Sequence, residues 1–276
     1  MKKGINAWCF PEGMPLEDMF KLAGECRYDG IELNMEAEAR DNPRLHMGLD
    51  SGGLEKIRAC AENFGMPISS VSTGLHWTYP LTDNDPAVRE KGCEVVRKMI
   101  DAACVFGCDT ILVVPGLVTA GVSYAAAYGR ALEAFKGLKS YAEEKKIVIG
   151  VENVWNKFLL SPLEMARFLD EIGSGFVQAY FDAGNVLQFS YPQSWVEALG
   201  GRIVKVHIKD FDVSIGNMAG FKPLLQGSMD WAALIKALES VGYDGYLTAE
   251  LSPYPTNPIQ LIRDTSAAMD YILSLV

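Results

Sequence analysis

Histidine is scarce in this chain: three residues in 276, too few for a multi-metal cluster built on many imidazoles. Basic residues are outnumbered as well, 25 Lys and Arg against 35 Asp and Glu, for a formal net charge of −10. Binding duplex nucleic acid needs clustered cations to neutralise phosphates, so this balance argues against such a partner. A small anion stays open as a ligand, because one basic pocket can sit on an acidic protein. Long apolar runs are missing. No stretch approaches the roughly 20 apolar residues of a membrane span. The opening MKKGINAWCF carries lysines but no apolar core of a signal peptide. The six cysteines (Cys9, Cys26, Cys60, Cys93, Cys104, Cys108) form no Cys-x-x-Cys pair, which suits free thiols in a reducing compartment. The expectation is a cytoplasmic protein without membrane contact. No G-x-G-x-x-G follows the first β-rich run, which leads instead into AWCFPEGMP.

What the chain does have is alternation. Candidate strands are Gly4–Trp8, Gly30–Asn34, Ile68–Thr73, Thr110–Val114, Ile147–Glu152, Gln178–Asp182, Val204–Lys209 and Gly245–Glu250. Between them lie amphipathic segments: Glu55–Asn63, Arg89–Phe106, Tyr124–Glu144, Leu163–Ile172, Trp231–Val241 and Ile259–Leu275. Their apolar residues recur at three- and four-residue spacing, as in Val95, Met99, Ala102 and Ala103. Eight β-then-α units favour a closed barrel over an open doubly wound sheet. The predicted fold is α/β, a (β/α)8 TIM barrel, formed as a single domain over residues 1–276.

In such barrels function gathers where strands end and the following loops begin. The fifth candidate strand, IVIGVENVW, ends at Glu152. The sixth, VQAYFDAGNV, ends at Asp182. The seventh, IVKVHIKD, carries His207, and the eighth, GYLTAELSP, ends at Glu250. Each of these polar residues follows an apolar run. A carboxylate buried at a strand end is costly unless paired or coordinated. Taken singly, each has an ordinary explanation: a cap or ion pair for Glu152, a turn for Asp182, a satisfied core position for His207. Together, on four successive strands, three carboxylates and one imidazole make a mostly oxygen shell suited to Mn²⁺, Mg²⁺ or Zn²⁺.

At these residues the chain resembles the xylose-isomerase-like sugar isomerase/epimerase superfamily, through the motifs VENVW, YFDAGNV, VKVHIKD and LTAEL. Within it, the stretch YPLTDNDPAVREKG, the Asp-x-Gly-Asn of Asp182–Asn185 and the HIKD of His207–Asp210 most resemble the L-ribulose-5-phosphate 3-epimerase group, often labelled hexulose-6-phosphate isomerase. The resemblance implies that Glu152, Asp182, His207 and Glu250 hold one divalent ion, Mn²⁺ first, with Zn²⁺, Mg²⁺ or Co²⁺ as alternatives. It implies that Glu152 and Glu250 double as the acid/base pair. The implied reaction is epimerisation of a ketose at C3 through an enediolate stabilised by the metal, on a small sugar or sugar phosphate. Asn185 stands where the free-sugar epimerases usually carry a substrate-binding histidine, which favours the phosphate-sugar branch. Val213 stands where those enzymes carry a clamp arginine, and Gln226-Gly227-Ser228 replaces their Gly-Glu-Gly. Neither feature carries over.

Further rim residues are candidates for the substrate. Trp8 ends the first candidate strand and could wall the sugar or simply pack. His76 could bond the ligand or sit on a loop. Asn156 follows Glu152 on its loop. Lys209 could meet a phosphate, but a pair with the adjacent Asp210 is favoured. Glu32 ends the second candidate strand and has either a substrate hydroxyl or an inner group as partner. Phe189, Tyr191 and Trp195 read as core or interface. Homo-oligomer formation fits this group. The competing functions are an aldose–ketose isomerase, an inosose dehydratase-type lyase on the same barrel, and a non-catalytic sugar-binding protein. Cleavage of DNA at abasic sites needs more histidines and less acidity than this chain has.

Overall fold

Eight parallel strands close on themselves in the order β1-β10-β7-β6-β5-β4-β3-β2. The computed structural model describes residues 1–39 and 44–275. The barrel strands are β1 (Lys2–Asn6), β2 (Gly30–Asn34), β3 (Ile68–Ser72), β4 (Thr110–Val113), β5 (Val148–Glu152), β6 (Val177–Asp182), β7 (Ile203–Ile208) and β10 (Tyr246–Ala249). A two-stranded antiparallel ribbon, β8 (Asp210–Phe211) with β9 (Phe221–Lys222), rises from the loop after β7. Helices α1 (Leu16–Glu25), α2 (Ser51–Asn63), α4 (Pro86–Phe106), α5 (Tyr124–Lys145), α6 (Pro162–Ile172), α8 (Pro192–Leu199), α9 (Trp231–Ser240) and α10 (Pro258–Leu273) surround it, with single turns α3 (Leu75–Thr78) and α7 (Ala183–Val186) on the loops. This is the expected (β/α)8 barrel. Among the described residues, no helix is long and apolar enough to cross a membrane.

Local chemistry sets the boundaries. Proline at the first helical positions of α4, α6, α8 and α10 has its φ already set for a helix and lacks an N–H that would go unpaired there. The side chains of Asp85 and Ser161 cap α4 and α6 by accepting from backbone N–H groups. The first strand lies two residues earlier than the expected Gly4–Trp8. It stops at Asn6, whose side chain accepts from the Trp8 N–H and turns Ala7–Cys9 into a 3₁₀ turn. Trp8 therefore sits on a loop. The last strand stops at Ala249, one residue short of Glu250.

Successive side chains of a strand point to opposite faces, and register decides which residues share a face. Ile5 aligns with Ile31 and Ala249, Val151 with Ala179, and Val206 with Phe181 and Leu247; this set is fully buried. The alternate set turns toward the axis. There Asn6 aligns with Glu32, Glu32 with Ser70, Glu152 with Tyr180, Asp182 with His207, and His207 with Thr248. Barrels of this kind usually fill their centre with branched apolar residues. This one is polar inside, and that difference positions the site.

Candidate metal centre

Glu152, Asp182, His207 and Glu250 each offer one donor atom, and those four atoms lie within 4.8 Å of one another. Asp182 and His207 meet because they are in register on adjacent strands. Glu152 is in register with Tyr180, two residues before Asp182, and Glu250 follows Thr248, the partner of His207, by two, so strand stagger brings all four to one rim. The Glu250 N–H bonds to the carbonyl of Ile208, which keeps the residue parallel to β7 after β10 has formally ended. Cys9 holds the same segment from the other side: its thiol donates to the Ala249 carbonyl at 3.3 Å and accepts from the Leu251 N–H at 3.1 Å.

The orientation of His207 comes from across the barrel. Nε2 lies 2.7 Å from Glu32 Oε1, and Glu32 also accepts from Asn6 Nδ2, the Ser70 hydroxyl and the Tyr180 hydroxyl. With Nε2 turned to Glu32, Nδ1 is the ring nitrogen that faces the cluster. Nδ1 has no hydrogen-bond partner, and lies 3.4 Å from Glu152, 3.8 Å from Glu250 and 4.0 Å from Asp182. Tyr180 stacks edge-on against the ring at 4.7 Å. Its own ring needs Gly150: a Cβ there would come within 2.8 Å of Tyr180 Cδ2.

The electrostatics are those of a site short of positive charge. Burial pushes the Glu152 carboxyl up to about 7; its contact with His207 offsets this in part, while the charges of Glu250 and Asp182 add to it. Burial also raises Asp182, against the pull of Lys209. For Glu250, burial is outweighed by Lys209 and His207, and its affinity for a proton falls. Burial opposes charge on His207, yet Glu32 and Glu250 hold it well above the ordinary range. Glu32 resists burial too: His207, Ser70 and Tyr180 bring it down to about 2. Three carboxylates around a bare imidazole nitrogen ask for a cation, and the donor set fits one divalent ion. Lys209 already supplies a positive charge, with Nζ 2.6 Å from Asp182 Oδ2 and in direct contact with Glu250.

Above the cluster opens a cavity of about 530 Å³, reached by Glu152, Glu250, Lys209 and Asn185 and walled by Trp8 and Trp155. Of the rim candidates, Trp8, Asn185 and Lys209 do line it. Asn185 is tied down at three points. Its N–H goes to Asp182 Oδ1, its amide donates to the Asn153 carbonyl, and its own carbonyl accepts from Trp155 Nε1. Two candidates fall elsewhere. His76 is fully buried beneath α4, where burial lowers its imidazole to about 4, and the neighbouring Trp77 lines the cavity instead. Asn156 is a loop staple: its amide donates to the Gly116 carbonyl and its oxygen accepts from the Phe158 N–H. The favoured Lys209–Asp210 pair is not formed either. Asp210 accepts instead from the N–H groups of Phe211 and Met229, while Lys209 turns into the cluster. Of the two partners left open for Glu32, the inner one is observed. Sequence reasoning passed over Tyr180, Trp77, Trp155 and the brace at Cys9. Trp155 stood in the VENVW motif and Tyr180 opens YFDAGNV, but neither motif says that the ring faces the site.

A family model described as xylose isomerase-like TIM barrel matches residues 20–272. The L-ribulose-5-phosphate 3-epimerase UlaE of Salmonella paratyphi A is 27% identical over 277 residues, covering 98% of this chain and 93% of that one. The fructoselysine 3-epimerase of Shigella flexneri is 25% identical over 269 residues, 91% of this chain and 90% of that one. Among solved structures, D-psicose 3-epimerase in the presence of D-fructose superposes with a TM-score of 0.81 at 16% identity, covering 100% of this chain and 99% of the other.

Proposed function

The chain belongs to the xylose isomerase-like TIM barrel family, and from that premise we propose that it is a divalent-metal-dependent isomerase that epimerises a small ketose or ketose phosphate at C3. The observation that carries the proposal is the bare Nδ1 of His207 facing three carboxylates at the floor of a sugar-sized cavity. Glu152, Asp182, His207 and Glu250 would hold the ion, with Mn²⁺ first and Zn²⁺, Mg²⁺ or Co²⁺ as alternatives. Bound there, it would supply Lewis acidity to the oxygens beside the reacting carbon.

The remaining work falls to side chains. Glu152 and Glu250 come from strands three steps apart around the barrel and both line the cavity, so they reach a sugar between them from different sides. One carboxylate takes the C3 proton, and the other returns a proton to the opposite face. Trp8, Trp77 and Trp155 wall the cavity and keep bulk water from the exposed carbanion. Asn185, fixed by its three hydrogen bonds, is placed to meet a hydroxyl. Among the described residues, Lys209 and Lys222 are the two lysines in the lining and no arginine joins them, so a phosphate would be met there by ammonium groups. That the two named sequence relatives are 3-epimerases of a phosphorylated and a conjugated ketose supports C3 as the reacting carbon. The six unpaired cysteines suit a cytoplasmic setting. Self-association belongs to the same proposal, with the exposed Phe189 and Leu160 beside a second, largely apolar cavity as the surface involved.

Proton NMR in deuterated water, across ketoses and their phosphates with Mn²⁺ present, tests the reaction. The expected result is deuterium at C3 of one ketose together with its C3 epimer, both lost on adding chelator. Exchange at C1 with an aldose product would mean aldose–ketose isomerisation, and water loss from an inosose would mean a lyase. No C–H exchange on any ketose would sink the proposal and leave a binding protein.

A further inference from the structure

We infer that Lys209 is the internal counter-ion of the metal-free site, and that a metal ion has to displace it. This rests on the metal reading above and adds a competitor to it. Lys209 follows His207 by two residues, just beyond the end of β7, and its side chain is 12% exposed. Its ammonium lies 2.6 Å from Asp182 Oδ2 and touches Glu250 Oε2. Those are the same two oxygens that face the bare Nδ1 of His207, at 4.0 and 3.8 Å. Lysine and metal therefore draw on one set of atoms.

The second oxygen of Asp182 is already engaged. Its Oδ1 accepts the Asn185 N–H at 2.9 Å and so caps the turn that α7 makes after β6. A metal bound through Oδ2 would put a double charge beside the ammonium, and like charges at that range repel strongly in a buried site. The fold also makes room for the lysine. Gly184, in the same turn, has no side chain where Lys209 passes: a Cβ there would come within 2.3 Å of Lys209 Cγ and 2.6 Å of its carbonyl oxygen. Without a cation, two buried carboxylates and a half-buried one would face one another uncompensated, a costly arrangement. Lys209 relieves this in the metal-free chain and keeps Asp182 and Glu250 in place. Once displaced, its ammonium still belongs to the cavity wall.

The test compares wild type with Lys209→Met, both stripped with chelator and then titrated with Mn²⁺ by calorimetry. The expected result is roughly tenfold or greater tightening of Mn²⁺ binding in the variant. The variant should also melt below wild type in chelator and close most of that gap in saturating Mn²⁺. If it does not fold without metal, it is prepared with Mn²⁺ bound and its affinity is read by competition against chelator. Equal or weaker Mn²⁺ affinity in Lys209→Met overturns the inference, whatever the melting temperatures. Wild type that binds no Mn²⁺, Zn²⁺, Mg²⁺ or Co²⁺ overturns the metal reading and this inference together; wild type that binds while the variant binds no tighter overturns the inference alone.

Discussion

The two halves of the barrel interior are equally polar and behave in opposite ways. On the side of β1, β2 and β3, Asn6, Glu32, Ser70 and Ser72 bond to one another and to Tyr180. Glu32 is buried and charged, yet its two oxygens take four contacts between them. On the side of β5, β6, β7 and β10, the donors converge but do not satisfy one another: His207 Nδ1 has no hydrogen-bond partner, and the carboxylates meet Lys209 and, at Asp182 Oδ1, one backbone N–H. Buried polarity alone does not mark a site. Lone pairs left over after the internal bonds are counted do.

Substitutions can break this contrast, beginning in the open half. On the proposed reading Glu152→Gln removes a proton carrier and a metal donor together, and kcat for ketose epimerisation should fall by roughly 10²–10⁴-fold. Steady-state kinetics at saturating Mn²⁺ will measure it; a variant within threefold of wild type would mean the open half is not catalytic. The next effect crosses between the halves. Glu32→Gln leaves all four donors in place but weakens the hold on His207, and loss of such a partner typically costs about 10–100-fold in metal affinity. Calorimetric titration with Mn²⁺ reads that loss directly.

Gly150→Ala works on the same bridge through packing. The new methyl would meet Tyr180 Cβ and Cδ2 at 2.9 and 2.8 Å. Overpacking of this kind costs about 1–3 kcal/mol, seen as a lower melting temperature, and should also loosen Tyr180 from Glu32. The smallest effect lies outside the interior, at His76. Burial holds its imidazole at about 4, below the ordinary 6.5, so the folded chain binds fewer protons than the unfolded chain between those values. Stability due to this group is complete above pH 6.5 and is lost as pH falls toward 4. His76→Leu should flatten the acid limb of stability in that window by about one proton's worth of slope, with kcat unchanged. Denaturant unfolding at a series of pH values checks it.

The contrast also separates what the sequence could tell from what it could not. The eight strands were legible because strands buried on both sides read as short apolar runs between helical patterns. The four donors were legible because each interrupts such a run at its end. The strand boundary at Asn6 was not, since it depends on a side chain bonding back to the Trp8 N–H. Glu32 was visible as a polar strand end, but its partner lies 175 residues away across the barrel. Tyr180 reads as core until Gly150, on the neighbouring strand, is seen to make room for its ring. Lys209 had a plausible local partner in Asp210, and tertiary packing gave it Asp182 and Glu250 instead; His76 read as a ligand or loop residue, and packing buried it.

The seam of the barrel ties this site to the order in which the chain is made. β1 pairs with β10 from Lys2 opposite Tyr246 to Ile5 opposite Ala249, and Cys9 reaches over the same seam to hold the backbone on both sides of Glu250. These contacts join segments about 240 residues apart in sequence, and contacts of such high order form late in folding. During synthesis from the N-terminus, Glu152, Asp182 and His207 emerge first, on strands of a sheet that is still open. The fourth donor comes only with the strand that closes the circle. The full set of four donors is thus available only to a finished barrel, and on the proposed reading metal capture would follow closure instead of nucleating it.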